Sequence, residues 1–384
     1  MHVAIAGCVH GELDMIYEKI KKKDDEDNTK TVVVLCCGDF QAIRNAADLE
    51  DLCCPPKYKH YGDFKDYYEG KKEAPILTIF VGGNHEAPMF LKELYYGGWV
   101  AKNIYYMGHS GLVNINGLRI AGLSGIYDAR DFKRGYFETA PLNEFTKRSS
   151  YHIREFDVEK LMMVENPVDI VISHDWPRGI ERFGNVNELI HKRKHLAPDI
   201  NAKKLGSPHA WDLLKKLKPR YWFAAHHHIR FEANVEHDEG NTYFLALDKP
   251  IRPDYFMEFI FVPPSKSQKR KQDEEANLCY DVEWLSIVAT NARLMPLNSF
   301  PSSVDLLLKK PNKNMNQSVI DGLLKAGCEP CTIDGSTGYK IVFPGHDYII
   351  EPSKQRSMLM NMLNISDNAY FSPKSASKFK VNMK

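Results

Sequence analysis

The chain has 384 residues, 43% hydrophobic and 26% charged, which is the balance of a soluble globular protein and excludes a disordered or fibrous one. Its formal net charge of +1 excludes binding of nucleic acid by whole-molecule attraction, so any such binding needs local basic patches. No apolar run approaches a membrane span and Met1–Gly7 lacks the basic start of a signal peptide, while the adjacent pairs Cys36-Cys37 and Cys53-Cys54 suit the reduced thiols of an intracellular protein.

His2–Gly7 is an apolar run ending in glycine, and Leu13, Ile16, Tyr17 and Ile20 follow at helical spacing. Thr31–Cys37 and Ile76–Val81 are further β-branched runs, closed by Gly38 and by Gly82-Gly83. Strand, helix and strand in this order predict βαβ units with a parallel sheet. The pattern then shortens to strands at Ile104–Tyr106, Leu112–Ile115 and Leu118–Leu123, with Asn116-Gly117 as a hairpin turn. Asp169–Ser173, Tyr221–Ala225, Phe231–Ala233 and Thr242–Leu247 supply more. The fold class is therefore α/β, in the form of an α+β sandwich. Two packed β-sheets flanked by helices occupy residues 1–250, and a smaller C-terminal domain spans 251–384. Residues 265–275 read as a polar linker, Tyr280–Ala292 and Ser318–Ala326 as ordered elements, and Phe371–Lys384 as a polar tail.

The residues that carry chemistry stand just past predicted strand ends. They are Cys8-Val9-His10, Gly38-Asp39, Gly83-Asn84-His85-Glu86, His174 and His226-His227-His228. In open α/β sheets ligands gather beyond the carboxyl ends of strands, so these five segments can converge on one crevice. Imidazoles, a carboxylate, an amide carbonyl and a thiolate are all competent metal ligands. Any one segment alone is more simply a buried histidine or a turn. Five in order, each after its own strand, point to a two-metal site.

These blocks resemble the calcineurin-like metallophosphoesterases, which carry Asp-x-His, Gly-Asp, Gly-Asn-His-Glu/Asp, His and Gly-His-x-His in that order. The chain departs from the pattern at Cys8, where the family has aspartate, and at Ala225, where it has glycine. Cysteine at the first position is a mark of one branch, the RNA lariat debranching enzymes. Cys36–Ala42, Pro55-Pro56-Lys57-Tyr58, Tyr96–Ala101, Ser173–Arg178 and Leu205-Gly206-Ser207-Pro208 resemble that branch too. The resemblance covers residues 1–250, and more loosely the region around Tyr280–Leu285.

The resemblance implies that Cys8, His10, Asp39 and His228 hold one metal ion. Asp39, Asn84, His174 and His226 would hold a second, with Asp39 bridging and His227 turned away. It implies hydrolysis of the 2′–5′ phosphodiester at the branch point of excised intron lariats, yielding linear RNA for turnover. Two cations about 3.5–4 Å apart would clamp phosphoryl oxygens and acidify a bridging water for in-line attack. His85 would protonate the leaving 2′ oxygen as general acid. The soft sulfur of Cys8 favours Fe²⁺ or Zn²⁺ over Mg²⁺, and Fe²⁺, Zn²⁺ or Mn²⁺ is expected at up to two ions per chain.

The substrate partner implied is branched RNA, with no membrane partner. Nuclear localisation, with the cytoplasm as a further site, follows from where lariats are made. Residues 124–154 take the place of the family's lariat recognition loop. There Tyr127, Arg130, Lys133, Arg134, Tyr136 and Phe137, with Phe132, Lys147, Arg148, Tyr151 and Arg154, interleave cations with rings that can stack on splayed bases. Asp128, Asp131, Glu138 and Glu144 dilute that charge, which predicts a shaped binder rather than a cationic groove.

Two other readings use the same residues. One is a different phosphoesterase activity, on phosphoprotein or nucleotide, which Cys8 and the branch-specific stretches disfavour. The other is a non-catalytic RNA scaffold, which the filled ligand positions disfavour. Cys328-Glu-Pro-Cys331 reads as structural, and Lys269-Arg270-Lys271 as a nuclear import signal or a solvated charge run.

Overall fold

The computed structural model describes residues 1–251, 255–263, 276–301, 307–333, 336–341 and 351–366. The expected linker at 265–275, with its Lys269-Arg270-Lys271 run, and the tail Phe371–Lys384 lie outside the described residues, as does the side chain of Cys331.

Among the described residues the strands form two mixed sheets. The first has six strands, in the order Met257–Phe261, His2–Ala6, Thr31–Cys36, Leu77–Phe80, Ile104–Tyr106 and Gly98–Ala101. Its four inner strands are parallel, and the two outer ones run antiparallel to their neighbours. The second has nine, in the order Phe231–His237, Gly240–Ala246, Tyr221–Ala224, Ile170–Ser173, Leu118–Leu123, Ser110–Ile115, Leu278–Tyr280, Ser336–Lys340 and Pro330–Ile333. Its parallel centre is Gly240–Ala246, Tyr221–Ala224, Ile170–Ser173 and Leu118–Leu123.

The sheets pack face to face. Ile5, Leu35 and Ile79 of the first share one buried cluster with Ile120, Ile172 and Phe223 of the second. Leu13, Ile16 and Ile20 of the helix Leu13–Asp27 cover the outer face of the first sheet. Val158, Leu161, Leu213, Trp284 and Ile287, all on helices, cover that of the second. Strands buried on both faces have no polar side to show, which is why they read as continuous apolar runs. Asn116 and Gly117 both adopt positive φ, 49° and 86°, and turn the hairpin as expected.

Strands at Gly98–Ala101, Met257–Phe261 and Leu278–Tyr280 were not foreseen, because short edge strands carry little periodic signal. The chain after residue 250 adds one strand to the first sheet, Met257–Phe261 beside His2–Ala6, and three to the second, of which Leu278–Tyr280 pairs with Ser110–Ile115. The Arg119 guanidinium ties the next helix down, reaching Asp281 and Glu283 at 2.8 Å each. No helix among the described residues is long and apolar enough to cross a membrane.

A buried polar knot joins the segment 124–154 to this core. Asp157, 1% exposed, accepts hydrogen bonds from Tyr95 Oη at 2.6 Å and from the Tyr136 hydroxyl, and pairs with buried Lys160 at 3.2 Å. Removing one member of a buried ion pair strands the other. Asp157→Ala should therefore lower unfolding free energy by about 3–5 kcal/mol in a denaturant titration. A change under about 1 kcal/mol would mean the knot contributes little.

Candidate metal centre

The parallel order of both sheets brings strand carboxyl ends to one crevice. Cys8 and His10 follow His2–Ala6, Asp39 follows Thr31–Cys36, and Asn84 follows Leu77–Phe80. His174 follows Ile170–Ser173, while His226 and His228 follow Tyr221–Ala224 in the second sheet. The backbone is bent hard there. His10, Asp39, Gln41, His226 and His228 have φ of 50°, 43°, 60°, 67° and 51°. Left-handed conformations in non-glycine residues cost energy and persist where tight surroundings hold them, often at functional sites.

Two glycines make room. A Cβ on Gly83 would lie 2.2 Å from Asp39 Oδ1, and one on Gly38 would lie 2.3 Å from His174 Nδ1. No side chain fits at either position without displacing a candidate ligand.

The structure brings all seven expected ligands together. Ligand atoms of Cys8, His10, Asp39 and His228 all lie within 4.8 Å of one another. His10 Nε2 is 3.1 Å from His228 Nε2 and 3.7 Å from Asp39 Oδ2. On the other side of Asp39, His174 Nε2 is 3.3 Å from Oδ1 and 3.1 Å from Asn84 Oδ1. The His226 ring stands 5.0 Å from that of His174, and its backbone N–H donates to Cys8 Sγ at 3.3 Å. The two Asp39 oxygens thus look toward two separate donor groups.

Burial sets the protonation of these groups. It drives the His10 imidazole down to about 4 and that of His228 to about 3. His174 and His226 are lowered by the same cause. Neutral imidazole is the form that donates a lone pair to a metal. Asp39 is held ionised, well below the usual carboxylate range, because the surrounding imidazoles outweigh its own burial. The Cys8 thiol is pushed far up by burial and by Asp39, so its thiolate needs a cation beside it. Lone pairs from nitrogen, oxygen and sulfur aimed at one small volume fit divalent metal ions.

An outer ring of contacts aims these ligands, and the sequence reading gave it no role. Glu86 is fully buried, and its carboxylate accepts N–H groups from Phe40 at 2.7 Å, Gln41 at 2.9 Å and Gly83 at 3.0 Å. It pins the turn that carries Asp39. Burial pushes its own carboxyl up to about 8, against those three donors. His174 Nδ1 is 2.8 Å from the Cys37 carbonyl, which leaves Nε2 for the centre, and the Gln41 amide lies 3.0 Å from His10 Nδ1. The one signal in the sequence was Glu86 itself, following Asn84-His85.

His85 lies at the edge of the centre, its ring 5.7 Å from that of His10. Its backbone N–H donates to Asp39 Oδ1 at 2.8 Å, and Nδ1 is 2.9 Å from the Cys53 carbonyl. His227 is half-buried and packs its ring 5.0 Å from that of Trp176, with a ring nitrogen within 4.8 Å of one on His226.

The expected RNA contacts divide. Tyr127 is half-buried, and Lys133 is exposed. Arg130 and Arg134 close on Asp128 at 2.6 Å and Asp131 at 3.0 Å, so both charges are partly spent within the segment. Phe137 packs near Phe145. Two residues are corrected. Tyr136 is 2% exposed, enclosed by Tyr95 and His109, and Arg154 is fully buried with Glu138 at 2.7 Å. Neither can meet a base or phosphate, because the core has claimed both side chains.

Residues 1–230 match the family model described as calcineurin-like phosphoesterase, and 239–325 match the one described as lariat debranching enzyme, C-terminal domain. The chain is 48% identical over 302 residues to the lariat debranching enzyme of Danio rerio, covering 77% of this chain and 52% of that protein. It is 46% identical over 299 residues to the Arabidopsis thaliana enzyme, covering 77% and 70%, and 46% identical over 295 residues to the Homo sapiens enzyme, covering 75% and 53%. The chain therefore spans about half the length of the vertebrate relatives and more of the plant one.

Outer contacts of this kind are typically worth about 10–100-fold in metal affinity. Glu86→Gln should weaken binding of Mn²⁺ or Zn²⁺ by roughly that factor in a calorimetric titration. Wild-type affinity in the variant would show that Glu86 does not hold the Asp39 turn.

Proposed function

The chain belongs to the lariat debranching enzymes, a family of calcineurin-like phosphoesterases, and on that premise we propose that it hydrolyses the 2′–5′ phosphodiester at the branch point of lariat RNA. The observation that carries the proposal is the pair of donor groups on either side of Asp39, with His85 at their edge.

Cys8, His10, Asp39 and His228 would hold one divalent cation, and Asp39, Asn84, His174 and His226 a second. Cations bound there supply charge neutralisation at the phosphoryl oxygens and acidify water for the attack on phosphorus. The protein's part is to keep four imidazoles neutral by burial, to keep Asp39 ionised, and to hold every ring in one orientation.

His85 is the general acid in this reading. With Nδ1–H donated to the Cys53 carbonyl, the transferable proton of the imidazolium sits on Nε2. It passes to the 2′ oxygen as the P–O bond breaks, leaving a free 2′-hydroxyl and a 5′-phosphate. By accepting the Nδ1–H, the Cys53 carbonyl fixes the orientation of the ring. The loop bearing Cys53 is itself tied down, because Lys147 and Lys59 donate to the Glu50 carbonyl at 2.9 and 2.6 Å. The segment 124–154 thereby braces the acid as well as flanking the crevice.

The sulfur ligand favours Fe²⁺ or Zn²⁺ over Mg²⁺, and the mixed nitrogen and oxygen donors around it also admit Mn²⁺. Cys8→Asp should shift metal content toward harder ions when the protein is loaded from a mixture and analysed by elemental mass spectrometry. An unchanged ratio would remove the argument from sulfur. The substrate reading also expects the protein to work in the nucleus, where lariats form, and in the cytoplasm where they escape.

Matched branched and linear RNAs test the reaction. With Fe²⁺, Zn²⁺ or Mn²⁺ the protein should cleave the 2′–5′ bond and spare 3′–5′ bonds, and a chelator should abolish cleavage. His85→Ala should slow the single-turnover step by about 10²–10⁴-fold. Equal cleavage of both RNAs, or a full rate in the variant, would contradict the proposal.

A further inference from the structure

Of the cations near residues 124–154, the best placed for RNA lies outside that segment. Arg178 follows the candidate ligand His174 by four residues, in the stretch His174-Asp175-Trp176-Pro177-Arg178. Its main chain is fixed by a backbone bond from Arg178 N to the Ser207 carbonyl at 2.9 Å. Its Nε donates to the Gly206 carbonyl at 3.0 Å, which locks the side chain near its tip. Gly206 has φ +79°, and a Cβ there would lie 2.3 Å from the Trp176 carbonyl, so this close packing admits only glycine.

The guanidinium so held lies over the Tyr127 ring, 5.2 Å from its centroid. Its two terminal nitrogens have no protein partner among the described residues, in contrast to those of Arg130 and Arg134. Asp175, a carboxylate close enough to feel the Arg178 charge, is already committed, accepting N–H groups from Tyr127 and Trp176 at 2.9 Å each. That bond also sets the Tyr127 backbone against the centre, since an Asp175 oxygen lies within 4.8 Å of a ring nitrogen of His226.

A flat ring lies beside the pair. His209 stacks on Phe132 with centroids 3.7 Å apart and planes within 1°. It lies 5.5 Å from the Tyr127 ring, and its side chain stays 31% exposed. Phe132 is buried, so its support for the imidazole is rigid. Burial lowers the pKa of His209, and the nearby Arg178 and Lys133 lower it further, against Asp212, which raises it. The ring is thus a neutral platform bordered by two cations.

We propose that Arg178, Tyr127 and His209 form a nucleotide subsite beside the cleavage centre, with Arg178 on a phosphate of the RNA strand and His209 under a base. The subsite rests on the RNA-substrate reading above and adds to it where the strand leaves the metal centre. The chemistry is that of single-strand binding: a preorganised guanidinium forks onto phosphate oxygens, and a supported ring stacks without regard to sequence. Tyr127, expected among the RNA contacts, gains a defined role as the ring that backs the guanidinium.

The test is equilibrium binding of a fluorescent single-stranded RNA, which debranching leaves intact, followed by anisotropy across a range of salt. Arg178→Ala should weaken binding by about tenfold and reduce the slope of log Kd against log salt by about 0.7, the value of one phosphate contact. Arg178→Lys should keep the slope while losing part of the affinity, and carries the test if the alanine variant melts early. His209→Ala should weaken binding by roughly fivefold or more with the slope unchanged. Wild-type affinity and slope in both Arg178 variants would overturn the subsite. Cleavage of branched RNA by the wild-type protein is scored separately. Loss of the salt contact in a protein that cannot debranch would sustain the subsite and refute the reaction.

Discussion

Asp39 is a buried carboxylate on a left-handed turn, and the rest of the centre is arranged to keep it there. An isolated ionised carboxylate could not remain in so dry a place. It is held because the His85 backbone N–H donates to its Oδ1 and because Glu86 grips the turn beside it through backbone N–H groups. Gly38 and Gly83 lack the side chains that would push it out. The crevice is therefore one electrostatic unit, to which both sheets contribute.

That unit explains why burial is useful here. Taking a histidine out of water removes its proton, and taking a thiol out of water keeps its proton on, unless a cation is present. Among the described residues at the centre, His10, His174, His226 and His228 follow the first rule and Cys8 the second. A set of neutral nitrogens around one carboxylate repels little on its own and gains strongly when divalent charge enters. The same logic separates Arg178 from Arg130 and Arg134: the useful cation is the one whose charge the protein has not already answered.

Much of the centre could be read from the sequence, because each candidate ligand follows a β-branched run and a parallel sheet must gather such ends on one side. The convergence of the seven candidate ligands and of His85 was legible for that reason. Glu86 was visible but mute, since its role depends on Phe40 and Gln41, more than forty residues away in sequence. Tyr136 and Arg154 were misread because composition cannot tell a ring that stacks on RNA from one that stacks on Tyr95. Arg178 was passed over as part of a family-like stretch; only the packing of Gly206 and Tyr127 reveals that its tip is fixed and open. The strand Met257–Phe261 shows the same limit, because its pairing with His2–Ala6 joins residues more than 250 apart in sequence.

The central claim is that Asp39 is shared between two cations. Electron paramagnetic resonance of the Mn²⁺-loaded protein tests it most directly, because two manganese ions joined by one carboxylate are magnetically coupled. The account predicts two ions per chain with an exchange-coupled spectrum that collapses to an uncoupled one in Asp39→Asn. A saturated wild-type protein showing only an uncoupled, mononuclear signal would contradict it.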